Sequence, residues 1–301
     1  MRGPSTWGLF VLVCGCHARL SDAPSDGVVI DAPDNDATDA TPDALILGNW
    51  GTPQVIPAAA TAAAEDDCTM SSTTLELYFA ISDANGNKDI YVSTRATTAD
   101  PFGTATKLGF NVGGTTSDET PRLSADDLTL YYGSNRSGGK GGLDIWSVTR
   151  GAVGGAWGPP VNVTEVNTTG SEKWFQSCGK AGRYMIVLNT GATNGNDLLE
   201  GVLGSGVPPT PAATLNSTAS ETGTFLTQDC LTIFFASSRG AKTMMYTSHR
   251  NAVTDAWPPP TVVTDFGTGG NEQDPWMSPD QRTFVFASDA GGNYDIYIST
   301  R

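Results

Sequence analysis

The chain ends with Ser278-Pro279-Asp280, then Phe284-Val285-Phe286-Ala287-Ser288, then Asp295-Ile296-Tyr297-Ile298-Ser299-Thr300-Arg301, and the same phrase recurs upstream. One copy holds Asp126, Leu130, Tyr132, Ser134, Asp144-Ile145-Trp146 and Arg150, and another holds Asp229, Ile233, Phe235, Ser237, Tyr246 and Arg250. Two fainter copies start near Leu75, with Asp89-Ile90-Tyr91 and Arg95, and near Tyr184, with Asp197-Leu198. Taking as marker the acid that opens each unit (Asp66, Glu119, Glu172, Glu221, Glu272), the spacings are 53, 53, 49 and 51 residues. A period of about 40 to 50 residues with several short alternating strands per unit is the pattern of propeller blades.

Each unit reads as four strands. The first follows the marker acid, the second is the aromatic and branched run, and the third is the Asp-Ile-Tyr segment. The fourth is opened by an aromatic beside proline or glycine: Phe102, Trp157 and Trp257. The last unit stops at Arg301 without a fourth strand. Asn49-Trp50-Gly51-Thr52-Pro53-Gln54-Val55 matches the missing piece, because it parallels Ala156-Trp157-Gly158-Pro159-Pro160-Val161-Asn162. The expected fold is therefore all-β: a five-bladed β-propeller of four-stranded blades, spanning residues 49–301 and closed by an N-terminal strand that completes the last blade.

The residues before the repeats read differently. Arg2 and the run Trp7-Gly8-Leu9-Phe10-Val11-Leu12-Val13 suggest an export signal over residues 1–15, too short to span a bilayer. Val13-Cys14-Gly15-Cys16 resembles the lipobox of bacterial lipoproteins, which implies lipidation at Cys16. His17 after it, with no aspartate there, resembles outer-membrane sorting. Residues 16–48 read as an acidic tether, with seven aspartates between positions 21 and 43 and almost no large apolar side chains. The expected location is the cell envelope, as an outer-membrane lipoprotein facing the periplasm or the cell surface.

The units themselves resemble the TolB-like, WD40-like propeller repeats of bacterial envelope proteins, in the Ser-Pro-Asp turn, the strand ending in Ser, the glycine-rich hairpin and Asp-Ile-Tyr. The resemblance implies the fold and says little about activity. Departures occur where Gln281 and Asp127 replace the glycine usual after the turn. The third unit, with Ser177-Cys178-Gly179 and no final arginine, suggests an irregular ladder.

Composition narrows the partners. A net charge of -15, from 32 acids and 17 bases, argues against nucleic acid. The two histidines, His17 and His249, support neither a catalytic triad nor a zinc site, so no catalytic residue, metal or cofactor is expected. Asp83-Ala84-Asn85-Gly86-Asn87-Lys88-Asp89 mimics half of a calcium loop but lacks the closing glutamate, and reads as a hairpin. If first strands line the axis, Asp66, Glu119, Glu172, Glu221 and Glu272 would ring one channel mouth, offset by Arg95, Arg150, Arg250 and Arg301, by a cation or by solvent. Trp174 and Phe175, with Trp276 beside a mouth, are contact candidates whose other role is core packing. Cys178 and Cys230 fall near equivalent turns of adjacent units and could form a disulfide worth about 4 kcal/mol in the chain-entropy model. Cys68 would then be a buried thiol.

The reading from sequence is thus a non-enzymatic, monomeric interaction module, held to a membrane by its lipid anchor and binding an envelope protein, peptide or glycan. The alternatives are a propeller-fold glycoside hydrolase or lyase, or a lectin, acting on polysaccharide.

Overall fold

The computed structural model describes residues 49–179, 182–189 and 195–301. The export segment, Cys16 and the acidic tether lie outside the described residues. Five antiparallel sheets of four strands are present. The first blade holds β2 (Glu65–Met70), β3 (Glu76–Ser82), β4 (Lys88–Thr94) and β5 (Thr106–Lys107). The second holds β6 (Asp118–Leu123), β7 (Thr129–Ser134), β8 (Asp144–Thr149) and β9 (Val161–Asn162). The third holds β10 (Ser171–Ser177), β11 (Arg183–Asn189), β12 (Asn196–Val202) and β13 (Thr210–Pro211). The fourth holds β14 (Glu221–Leu226), β15 (Thr232–Ser237), β16 (Met244–His249) and β17 (Thr261–Val262). The fifth combines β18 (Glu272–Met277), β19 (Thr283–Ser288) and β20 (Asp295–Thr300) with β1 (Gln54–Val55) from the other end of the domain. Five blades and the closing strand agree with the sequence reading.

The first strands β2, β6, β10, β14 and β18 touch one another in a closed ring, β18 meeting β2. They form the inner wall. The branched and aromatic second strands supply the packing between blades: Tyr78 and Ile90 meet Leu123, Leu130, Tyr132 and Val148 between the first two blades, all buried. Alternation along each strand creates this core, since every second side chain faces a neighbouring sheet.

Closure repeats the chemistry of the other blades. Gln54 pairs with Ile298 and Val55 with Tyr297. Gly51 N donates to Thr300 O at 2.9 Å, just as Gly103 N donates to Thr94 O and Gly158 N to Thr149 O. Trp50 packs on Phe266 and Phe284, with ring centroids 5.6 and 5.7 Å away.

Two expectations need correction. The repeat-terminal arginines do not offset the marker acids; each stacks on the aromatic that opens a fourth strand. Arg95 lies over Phe102, Arg150 over Trp157, Arg250 over Trp257 and Arg301 over Trp50, at 4.5, 4.4, 4.0 and 4.1 Å. Arg150 and Arg250 also grip Glu76 and Glu200 through both terminal guanidinium nitrogens. An arginine is suited to this double role because its plane stacks while its edge forks onto a carboxylate. The third blade, in turn, is not irregular: β11 and β12 pair without a slip from Arg183↔Val202 to Asn189↔Asn196. In that blade Cys178 is joined to Cys230 of the next, with a Cα separation of 5.6 Å. Cys68 is buried in β2.

The turn glycine has been replaced without a change of backbone. Asp127 and Gln281 hold φ of 60° and 57°, so the left-handed conformation that favours glycine is retained.

Candidate axial carboxylate site

One backbone irregularity, repeated five times, builds the site. The ladder between first and second strands slips between Asp66 and Thr69, Glu119 and Arg122, Lys173 and Gln176, Thr222 and Phe225, and Gln273 and Trp276. The residue after each slip's first member has a positive φ: Asp67 56°, Thr120 56°, Trp174 46°, Gly223 55° and Asp274 56°. A bulge of this kind re-aims side chains. Here it sends them across the axis, because contacts join blades that are not neighbours. Trp174 Nε1 of the third blade donates to Asp67 Oδ1 of the first at 3.0 Å, and Arg122 Nε of the second donates to Thr224 O of the fourth at 2.9 Å. Gly223 is obligatory, since a Cβ there would lie 2.6 Å from Asp274 N and 2.8 Å from its Oδ1.

Register divides the five marker acids. The equivalent residues on the ladders are Glu65, Asp118, Glu172, Glu221 and Glu272, paired with Ile81, Ser134, Leu188, Ser237 and Ser288. All five are buried and fold back onto the loop before their own strand. Thr61, Thr168, Ser217 and Thr268 donate backbone N–H to Glu65, Glu172, Glu221 and Glu272, and Val112 does so to Asp118. Their role is to tie loops to strands, and Glu172, Glu221 and Glu272 do not ring a mouth. Asp66 and Glu119 lie one residue further along and do reach the axis, in a layer with Lys173, Thr222 and Gln273.

Lys88, from β4, organises the mouth. Its Nζ lies 2.7 Å from Asp66 Oδ2, 2.8 Å from Asp67 Oδ2 and 3.7 Å from Glu119 Oε2, and Lys173 Nζ lies 3.5 Å from Glu119 Oε1. Asp274 Oδ2 accepts from Asp67 N at 2.9 Å. Asp66, Asp67 and Asp274 each offer an oxygen within 4.8 Å of the others. Such a trio could ligate a cation, and the Lys88 ammonium already supplies positive charge on two of its members.

Three carboxylates this close cannot share one protonation state. Burial, then the Asp67 charge, pushes Asp66 well above the ordinary carboxylate range. Burial and Asp67 push Asp274 up to about 6. Burial also acts upward on Asp67, but the charge and hydrogen bond of Lys88, with Lys173 and Arg122 behind it, hold its carboxyl below the usual value. Burial acts downward on Lys88, but the charges of Asp67, Asp66 and Glu119 raise it well above the ordinary lysine value. The outcome is a fixed anion, Asp67, between Asp66, which is held toward its protonated form, and Asp274, which keeps its proton only below about pH 6.

Asp274 has a consequence for stability. Its folded pKa of about 6 exceeds the unfolded value of about 3.9, so the folded state loses relative stability as pH rises from about 4 through 6. The size is about 3 kcal/mol, complete above pH 7. Asp274→Asn keeps the shape and removes the titration. Its denaturation midpoint should be flatter than wild type between pH 4 and 7; an unchanged slope would contradict the assignment.

The contact candidates occupy defined places. Trp174 caps Asp67 inside the channel, 7 % exposed, and Phe175 is buried between the second and third blades. Trp276 is 5 % exposed and lies in the wall of a cavity of about 600 Å³ at the opposite mouth. His249, on an exposed strand end, meets Thr232. Asp67, Asp274, Lys88 and Arg122 had not been singled out. Their signal was a departure from the repeat: at the bulge position of the other blades stand Thr120, Trp174 and Gly223.

No family model and no curated protein matches the chain. Solved structures do. A putative TolB from Agrobacterium tumefaciens is similar at 15% identity, with TM-score 0.50 over 80% of this chain and 79% of that one. An endo-arabinase from Bacteroides thetaiotaomicron is similar at 10% identity, with TM-score 0.56 over 84% and 98%. An alpha-L-arabinofuranosidase from Podospora anserina, in complex with cellotriose, is similar at 11% identity, with TM-score 0.55 over 84% and 96%. The expectation of a non-enzymatic module does not stand: several structures of this architecture are glycoside hydrolases, and the axis carries acid-base groups that sequence reading missed. Among the described residues, no helix is long and apolar enough to cross a membrane. At these identities the likeness establishes the fold alone, and the chain is a β-propeller.

Proposed function

We propose that the chain is a carbohydrate-directed propeller that cleaves glycosidic bonds at the Asp66 mouth. The observation behind this reading is the split protonation of Asp66, Asp67 and Asp274 within 4.8 Å, since neighbouring carboxyls pushed apart in pKa are the arrangement acid-base catalysis needs. Asp66, with 11% of its side chain exposed, is the proton donor to a leaving oxygen. Glu119, 10% exposed and set between the ammonium groups of Lys88 and Lys173, is placed to accept a proton from attacking water. Asp67 is a fixed anion whose field favours the positive charge that develops on the sugar ring. Asp274 and Trp174 position it through its backbone N–H and its Oδ1.

The test is a panel of arabino-, xylo- and cello-oligosaccharides assayed for new reducing ends. Wild type should cleave at least one of them, and Asp66→Asn should slow that reaction by at least about a hundredfold with little change in KM. Cleavage that Asp66→Asn leaves intact, or no cleavage by wild type across the panel, would end this reading.

The envelope location belongs to the same proposal and rests on the sequence around Cys16. Cells given a labelled fatty acid should incorporate it into the wild-type chain and not into Cys16→Ala, which should leave the membrane fraction. Label retained in Cys16→Ala would exclude the anchor.

A further inference from the structure

The mouth opposite the carboxylates contains a cavity of about 600 Å³, the size of small-molecule sites. Its floor is the next inner layer down the axis. Directly after the five bulges stand Thr69, Arg122, Gln176, Phe225 and Trp276, each the first residue to resume pairing with its second strand. Gln176, Phe225 and Trp276 line the cavity. The two rings meet edge to face, with centroids 6.2 Å apart. Phe234 and Trp50, both half-buried, extend the aromatic wall.

The layer is left incomplete in its polar bonds. Gln176 is 5 % exposed; its Nε2 donates to Ser177 O at 2.9 Å, and its Oε1 is buried with no partner. Thr69 Oγ1 and Arg122 Nη2 in the same layer are also buried and unpartnered. Native interiors seldom leave such groups unmatched. One orphan acceptor beside two aromatic faces calls for a ligand that brings a hydroxyl donor and an apolar face together. The rim adds hydroxyls and amides from Ser72, Ser124, Ser177, Thr227 and Gln228. Asp127, Asp229 and Asp265 at the rim, against Arg301, disfavour an anion. Asp127 already accepts from Ser72 and Asp229 from Thr227, so they act as acceptors held in place.

We infer that this cavity is a binding site for a neutral sugar unit, separate from the carboxylate mouth and placed at the other end of the same channel. A sugar ring offers its C–H face to Trp276 and Phe225, and a hydroxyl to Gln176 Oε1 once the side chain turns that buried oxygen toward the cavity. The site does not depend on turnover at the Asp66 mouth.

Isothermal titration with cellotriose, xylotriose and arabinotriose tests this. At least one should bind wild type and Asp66→Asn alike. Gln176→Leu, which removes the orphan acceptor at similar volume, should weaken that binding about tenfold. Gln228→Trp, at an exposed rim position away from the core, should abolish it while circular dichroism and thermal midpoint stay at wild-type values. Binding lost in Asp66→Asn but kept in Gln228→Trp would move the sugar to the carboxylate mouth and overturn the inference. So would the absence of binding by all three sugars at millimolar concentration, leaving only water in the cavity.

Discussion

A chain starting after Val55 should fail to form a stable monomer. The truncation removes β1, and with it the Gly51–Thr300 and Gln54–Ile298 connections that cover the outer edge of β20. It also removes Trp50, which stacks under Arg301 and packs on Phe266 and Phe284. Loss of a large aromatic from such a site costs about 3 kcal/mol, at the low end of the usual range because Trp50 is only half-buried. Loss of the strand adds an unpaired edge, a template for pairing between chains. The expected result is a drop in stability above about 5 kcal/mol, with dimers or larger species on light-scattering chromatography. Trp50→Ala alone should give the smaller loss and remain monomeric. A truncated chain that is monomeric and as stable as wild type would show that the ring is not held by its two ends.

Replacing Arg122 by methionine should be nearly as damaging, from a single side chain. Arg122 is fully buried and spans the channel, donating to Thr224 O, Cys68 O and Pro121 O at 2.9 Å each. It therefore links the first, second and fourth blades. Burial lowers its own pKa, and the charges of Asp274, then of other neighbours, act in the opposite sense. Methionine fills much of the volume but removes the donor to three carbonyls and leaves the Asp67–Asp274 pair with less positive charge nearby. Removal of one partner from a buried charged network costs about 3 to 5 kcal/mol. The loss should be larger at pH 8 than at pH 5, because Asp274 carries a proton at the lower pH. Chemical denaturation at the two pH values measures this. Equal losses at both would mean that Arg122 acts only through its hydrogen bonds to carbonyls.

The architecture could be read from sequence because it is periodic. Five copies of one strand pattern, and a Trp50-Gly51 segment matching Trp157-Gly158, specify blade number and closure with no knowledge of contacts. The axial site resisted the same reading because it is made of exceptions to the period. Glu65, Asp66 and Asp67 are three consecutive acids, and only ladder register tells that Glu65 ties down a loop, Asp66 faces the mouth and Asp67 enters the channel. Asp118 and Glu119 divide in the same way. Choosing one acid per unit by spacing thus mixed two classes of residue. Lys88 and Arg122 were invisible for another reason: Lys88 gathers Asp66 and Asp67 of its own blade with Glu119 of the next, and Arg122 reaches the first and fourth blades, partnerships that no repeat alignment relates.

The cavity at the other mouth was reached in part through Trp276, which sequence placed beside a channel opening. Gln176 gave no such signal, since its importance lies in an unmatched oxygen that appears only when the five inner strands are assembled.

The most direct measurement is a titration of the aspartate side-chain carboxyls by carbon-13 NMR, with Asp66→Asn, Asp67→Asn and Asp274→Asn used to assign the three axial signals. Asp274 should titrate near 6, Asp66 above the ordinary range and Asp67 below it. Three signals moving together near the unperturbed value of about 3.9 would contradict the split protonation on which the acid-base site depends.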